Sequence, residues 1–88
     1  MTRPKVLLVD DTDAVLHMME QSLSREGFDV VTAACVTAAL SQIVTQQFDI
    51  LITDLHMPGA ADGFAVVTAM RHSQPDALWW LADFPTLR

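Results

Sequence analysis

Two short apolar runs in this chain each stop at a carboxylate. Lys5-Val6-Leu7-Leu8-Val9 runs into Asp10-Asp11, and Phe48-Asp49-Ile50-Leu51-Ile52-Thr53 runs into Asp54, with Met57-Pro58 close behind. A run of four or five aliphatic and β-branched residues that ends in this way reads as a buried parallel strand. In open α/β sheets the ligand site lies outside the carboxyl ends of the strands. If the two strands are neighbours, Asp10, Asp11 and Asp54 converge at one edge of the sheet. Close like charges repel, so they need a bound proton or a partner cation. A divalent ion held by oxygen ligands is the natural partner. The leading expectation is therefore a small acidic site of the Mg²⁺ type.

The segments between and after these runs alternate in the same sense. The first strand covers about Lys5 to Val9. A helix follows from Thr12 or Asp13 to Glu26, closed by Gly27, with Val15, Leu16, Met19 and Leu23 at helical spacing. Phe28 to Ala33 alternates like a more exposed strand. A second helix spans Val36 to Gln46, with Val36, Leu40, Ile43 and Val44 assigned to its inner face. Ile50 to Thr53 is the third strand, and Pro58, Gly59 and Gly63 mark a loop. A third helix covers Phe64 to His72, with Phe64, Val67 and Met70 or Arg71 toward the core, and Pro75 stops it. Ala77-Leu78-Trp79-Trp80-Leu81-Ala82 fits a fourth strand. Strands alternating with helices predict a parallel sheet with right-handed crossovers.

The 88 residues suffice for one small domain. The formal charge of −6, with five Lys and Arg scattered along the chain, argues against an electrostatic grip on nucleic acid or an anionic membrane surface. A single cysteine, Cys35, cannot form an internal disulfide and fits a reducing compartment; a small buried or half-buried position is expected for it. The four apolar residues before Asp10 are too few for a signal-peptide core, and no stretch has the length of a membrane span. A cytoplasmic protein is expected. His17, His56 and His72 lack metal-ligand spacing. Asp11 also suits a helix cap, and Asp62 reads as a loop residue.

The order of these motifs resembles the receiver domain of two-component response regulators, the CheY-like family. The likeness runs from Lys5 to about Pro75. It rests on Val9-Asp10-Asp11, Gly27-Phe28, Phe48-Asp49, and Asp54-Leu55-His56-Met57-Pro58 followed by Asp62-Gly63. The resemblance implies a three-layer α/β sandwich of flavodoxin-like topology, with strand order two-one-three-four. It implies that residues 1–88 are a single receiver-like domain, incomplete at the C-terminus, with strand five and the last helices missing. Asp54 would be the phosphoacceptor. Mg²⁺ would be bound by Asp10, Asp11, Asp54 and the backbone carbonyl of His56. The partner would be a sensor histidine kinase or a phosphotransfer protein, and the module would not itself be an enzyme.

The chain also departs from the family pattern. Ala82 stands where the family has a Ser or Thr, Asp83 follows it, and the family lysine after strand five has no counterpart. These departures leave a second reading open, a degenerate receiver that binds partners without being phosphorylated. An exposed fourth strand carrying Trp79 and Trp80 would favour self-association through the C-terminal edge; the same two residues could instead cover the core. A haloacid-dehalogenase-type phosphatase would use Asp10 as its nucleophile, but that pattern needs a second acid where this chain has Thr12.

Overall fold

A computed structural model describes residues 3–54 and 63–82. The elements follow in the order β1 (Lys5–Val9), α1 (Asp13–Arg25), β2 (Asp29–Ala33), α2 (Val36–Thr45), β3 (Ile50–Asp54), α3 (Gly63–Ser73) and β4 (Leu78–Ala82). The strands form one sheet of order β2-β1-β3-β4, and every neighbouring pair is parallel. The first crossover steps from β1 to β2, and the second steps back over β1 to β3. Right-handed crossovers in opposite directions put α1 and α2 on opposite faces of the sheet. The result is a flavodoxin-like three-layer sandwich.

Alternation along β1 divides its side chains between the two faces. Leu7 and Val9 join Leu51 from β3, Ala39 and Ile43 from α2, and Val66, Val67 and Met70 from α3 in one buried core. Val6 and Leu8 point to the other face and are equally buried. On that side α1 packs against β2 and β1, presenting Val15 and Leu16 as its buried residues. Met19 and Leu23 are only half-buried.

The helix ends have identifiable causes. Gly27 has φ +96°, in the left-handed region. Its N–H donates to the Ser24 carbonyl and the Phe28 N–H donates to the Leu23 carbonyl, both at 3.1 Å. That pair of bonds is the Schellman arrangement, which satisfies the last carbonyls of α1. At the other end, α2 starts from Cys35, whose Sγ accepts from the Ala38 N–H at 3.5 Å. Cys35 is exposed, contrary to the buried position expected from its residue type, because the capping position lies outside the helix at the surface.

Two helical faces are also rotated from expectation. In α2 the buried residues are Ala39 and Ile43, while Leu40 and Val44 are exposed, Val44 to 77%. The small Ala39 side chain, rather than Leu40, faces the core. In α3 the buried stripe is Val66, Val67 and Met70, while Phe64 is exposed.

That stripe continues one turn further to Gln74, which is buried. Its amide Nε2 donates to the carbonyls of Ile43 at 3.0 Å and Gln46 at 2.7 Å. Its Oε1 accepts from the Phe48 N–H at 2.6 Å. One side chain thus ties the end of α3 to the end of α2 and to the approach to β3. At the same end of the sheet, Asp49 accepts from the Lys5 N–H at 2.8 Å through Oδ2, and the Lys5 ammonium lies 6.0 Å from the centre of the Phe48 ring.

Candidate functional site

Asp10 immediately follows β1, and Asp54 is the last residue of β3. The register pairs Val9 with Thr53, so the next position on each strand holds a carboxylate. Asp10 keeps its place in the ladder by donating its N–H to the Ala33 carbonyl on β2 at 3.2 Å. Alternation gives Asp10 and Asp54 the same face as Leu8 and Ile52. This is the carboxyl edge at which the chain turns from β1 toward β2 on one side and β3 on the other. Ligand sites form at such a switch point in open α/β sheets.

Asp10 and Asp54 are fully buried, and Asp11 is half-buried. One carboxylate oxygen from each lies within 4.8 Å of the others. Two unit charges at about 5 Å cost roughly 3 kcal/mol at an effective dielectric of about 20. A cation that pairs with all three relieves each of these repulsions, and hard carboxylate oxygens are the donors Mg²⁺ and Ca²⁺ prefer. The donor set therefore fits Mg²⁺.

The local backbone also holds the cluster in place. The Oδ1 of Asp10 accepts from the Thr12 N–H at 2.8 Å. This is an Asx-turn bond to the residue two ahead, and it orients the Asp10 carboxylate at the entry to α1. The N-cap of α1 is Thr12, which makes no side-chain capping bond, so the capping role considered for Asp11 falls instead to its neighbour's position. The contribution of Thr12 through its backbone escaped the sequence reading, although an aspartate two residues before a helix start is its signal. Thr53, fully buried beside Asp54, belongs to the opposite face.

The structure brings Asp10, Asp11 and Asp54 together as expected. His56, whose carbonyl the resemblance offers as a further ligand, lies outside the described residues, as do Asp62 and Asp83. On β4 the residue in register with Asp54 is Ala82, the position where the resemblance calls for a hydroxyl. A cavity of about 270 Å³ lies at the opposite, amino edge of the sheet and is lined in part by Asp49, Gln74 and Asp76. There Gln74 is engaged by three backbone groups.

Comparison with known proteins agrees with this geometry. Residues 6–80 match the family model of the response regulator receiver domain. The transcriptional regulatory protein PrrA of Mycobacterium tuberculosis is 40% identical over 75 residues, which are 85% of this chain and 32% of PrrA. The chain thus spans about a third of the length of that curated relative. Among solved structures, the response regulator TrrA of Thermotoga maritima in complex with Mg²⁺ and BeF is 28% identical with a TM-score of 0.83; the match covers 97% of this chain and 74% of TrrA. A response regulator from Burkholderia pseudomallei with a phosphorylated aspartic acid and a calcium ion is 26% identical with a TM-score of 0.82, covering 89% of this chain and 45% of that one.

Proposed function

Because the chain belongs to the response regulator receiver domain family, we propose that it is the phosphoacceptor module of a two-component relay and that Asp54 takes the phosphoryl group. The observation that carries this reading is the convergence of Asp10, Asp11 and Asp54 within 4.8 Å at the carboxyl edge of β1 and β3. An oxygen of the Asp54 carboxylate attacks phosphorus, the bond from phosphorus to the donor breaks, and an acyl phosphate forms. The donor keeps the electron pair of the broken bond; for a phosphohistidine that pair returns to the ring nitrogen. Asp54 is consumed once per phosphoryl group, so the module acts as an acceptor rather than as an enzyme.

Asp10, Asp11 and Asp54, with the backbone carbonyl of His56, would hold Mg²⁺. When bound, the ion supplies charge neutralisation on the phosphoryl oxygens. Asp10 is held for this task by the Thr12 N–H at 2.8 Å, and burial of Asp10 and Asp54 limits the access of water. The donor is a sensor histidine kinase or a phosphotransfer protein in the cytoplasm. Two solved relatives support the ligand chemistry, one in complex with Mg²⁺ and BeF and one with a phosphorylated aspartic acid and calcium. Among the described residues no helix is long and apolar enough to cross a membrane.

One observation favours a second reading. Ala82, in register with Asp54, offers no hydroxyl to a phosphoryl oxygen, and charge-assisted contacts of that kind contribute about 1.5–3 kcal/mol. A receiver without that contact can serve as a partner-binding module that is never phosphorylated. Intact-mass measurement after incubation with a small-molecule phosphodonor separates the two. A gain of one phosphoryl group that requires Mg²⁺ supports the acceptor. An unchanged mass in both conditions supports the binding module.

A further inference from the structure

The cavity at the amino edge of the sheet lies at the far end of β3 from Asp54, outside the proposed acceptor site. It opens between the segment that leads into β3 and the turn that leads into β4, with Asp49, Ser73, Pro75, Asp76 and Ala77 among its lining residues. Its volume of about 270 Å³ is just under the roughly 300–1,000 Å³ of ordinary small-molecule pockets. A ligand that fits it is therefore small.

The hydrogen-bonding groups of the wall are one-sided. The Phe48 N–H donates to Gln74 Oε1 at 2.6 Å. The N–H groups of Asp49, Gln74 and Ala77 donate to the carbonyls of Lys5 at 2.8 Å, Met70 at 2.6 Å and Gln74 at 3.0 Å. Pro75 has no N–H to give. Both hydrogens of the Gln74 amide are engaged, by the carbonyls of Ile43 and Gln46. Acceptors are in better supply. A carboxylate has about four lone-pair sites, and Asp49 gives one, on Oδ2, to the Lys5 N–H at 2.8 Å. Asp76 adds a second carboxylate, and among the described residues that line the cavity there is no Lys, Arg or His. Lys5 holds its ammonium 6.0 Å from the centre of the Phe48 ring and is not a lining residue.

We propose that this cavity binds a small organic cation through its N–H groups, a primary ammonium or a guanidinium on a short apolar stem. Two carboxylates in a concave wall that carries no cation attract positive charge. The N–H groups of the cation then make charge-assisted bonds to the carboxylate oxygens of Asp49 and Asp76, while Pro75 and Ala77 offer the stem an apolar surface. An anion would meet like charge, and a ligand that only accepts hydrogen bonds would find most of the wall's donors already engaged. The bonds that fix Asp49, Gln74 and the turn from Gln74 to Ala77 are made within the protein, so ordering the wall costs the ligand little.

The test is an NMR titration of the 88-residue protein in Mg²⁺-containing buffer at fixed ionic strength, read on the backbone amides. The probes are butylammonium, butylguanidinium, tetramethylammonium, which has the charge without an N–H, and butanol, which has a donor without the charge. The expected result is a set of saturable shifts centred on residues 47–49 and 73–77 with butylammonium or butylguanidinium, the tighter of the two identifying the head group. Affinity falls at least tenfold for tetramethylammonium and for butanol. It falls as far for an Asp49→Asn/Asp76→Asn variant, which keeps an oxygen at position 49 to accept from the Lys5 N–H. Tetramethylammonium binding as tightly as the N–H cations overturns the proposal without recourse to any variant. So do the absence of saturable shifts in these two segments, shifts confined to Asp10, Asp11 and Asp54, and undiminished binding to the folded double variant.

Discussion

The site depends on three residues whose shared position follows from their neighbours in the strands. Val9 and Thr53 are in register, so the carboxylates that follow them arrive side by side. This much was legible in the sequence, because a strand that ends at an acid declares which edge the acid occupies. The bond from the Thr12 N–H to Asp10 was not, since an Asx-turn depends on backbone angles that apolar patterning does not report. Two predictions belong at this scale. Mg²⁺ binds the folded state, so a concentration ten times the dissociation constant adds about 1.4 kcal/mol, and a domain of this size then melts roughly 5–10 °C higher. A midpoint that does not move through tens of millimolar Mg²⁺, roughly the ceiling for a weak site, would count against the site. In metal-free buffer, Asp54→Asn should melt at or above the parent, because it removes two of the three like-charge pairs. With Mg²⁺ the order should reverse, because the variant has lost a ligand. Calorimetry of both proteins with and without Mg²⁺ reads this crossing directly.

At the scale of the elements, strand and helix positions were readable from alternation, but which face each helix turns inward was less so. In α2 Leu40 and Val44 read as core together with Ile43; Ile43 is buried as expected, but its buried companion is Ala39, and Leu40 and Val44 are exposed. A rotation of one residue, about 100°, separates the two faces, and a sequence with apolar residues on both offers no means of choosing. Gln74 carried no signal at all, because its role depends on carbonyls 28 and 31 residues away. Gln74→Ala should destabilise the fold by about 2–4 kcal/mol, since it leaves buried backbone groups of Ile43, Gln46 and Phe48 without this partner; urea unfolding measures it. Gln74→Glu should be worse, because a carboxylate would face two carbonyl oxygens. Gly27 was readable as a helix stop, and its φ of +96° is the reason. A Cβ there would meet nothing within 4 Å, so Gly27→Ala should cost only the conformational term, about 1–2 kcal/mol. A neutral result in the same urea experiment would mean that the end of α1 relaxes.

For the whole molecule, the alternation of strands and helices predicts a parallel sheet, and the order β2-β1-β3-β4 is the one that the family resemblance implies. Of the two readings open for Trp79 and Trp80, exposure or cover of the core, the structure has the first: Leu78, Trp79 and Trp80 are all exposed, while α1 packs on β2 and β1. Apolar patterning records which residues can be buried, not whether a layer is present to bury them. The same architecture gathers the acids at its carboxyl end, and the claim on which the functional account rests is that Asp54 among them receives the phosphoryl group. The most direct test is to incubate the protein with Mg²⁺ and a small-molecule phosphodonor, reduce with borohydride and fragment the chain for mass spectrometry. An acyl phosphate on aspartate is reduced to the corresponding alcohol, which marks its position permanently. The account predicts homoserine at position 54, dependent on both Mg²⁺ and donor. Modification at Asp10, or no modified residue under any condition, would contradict it.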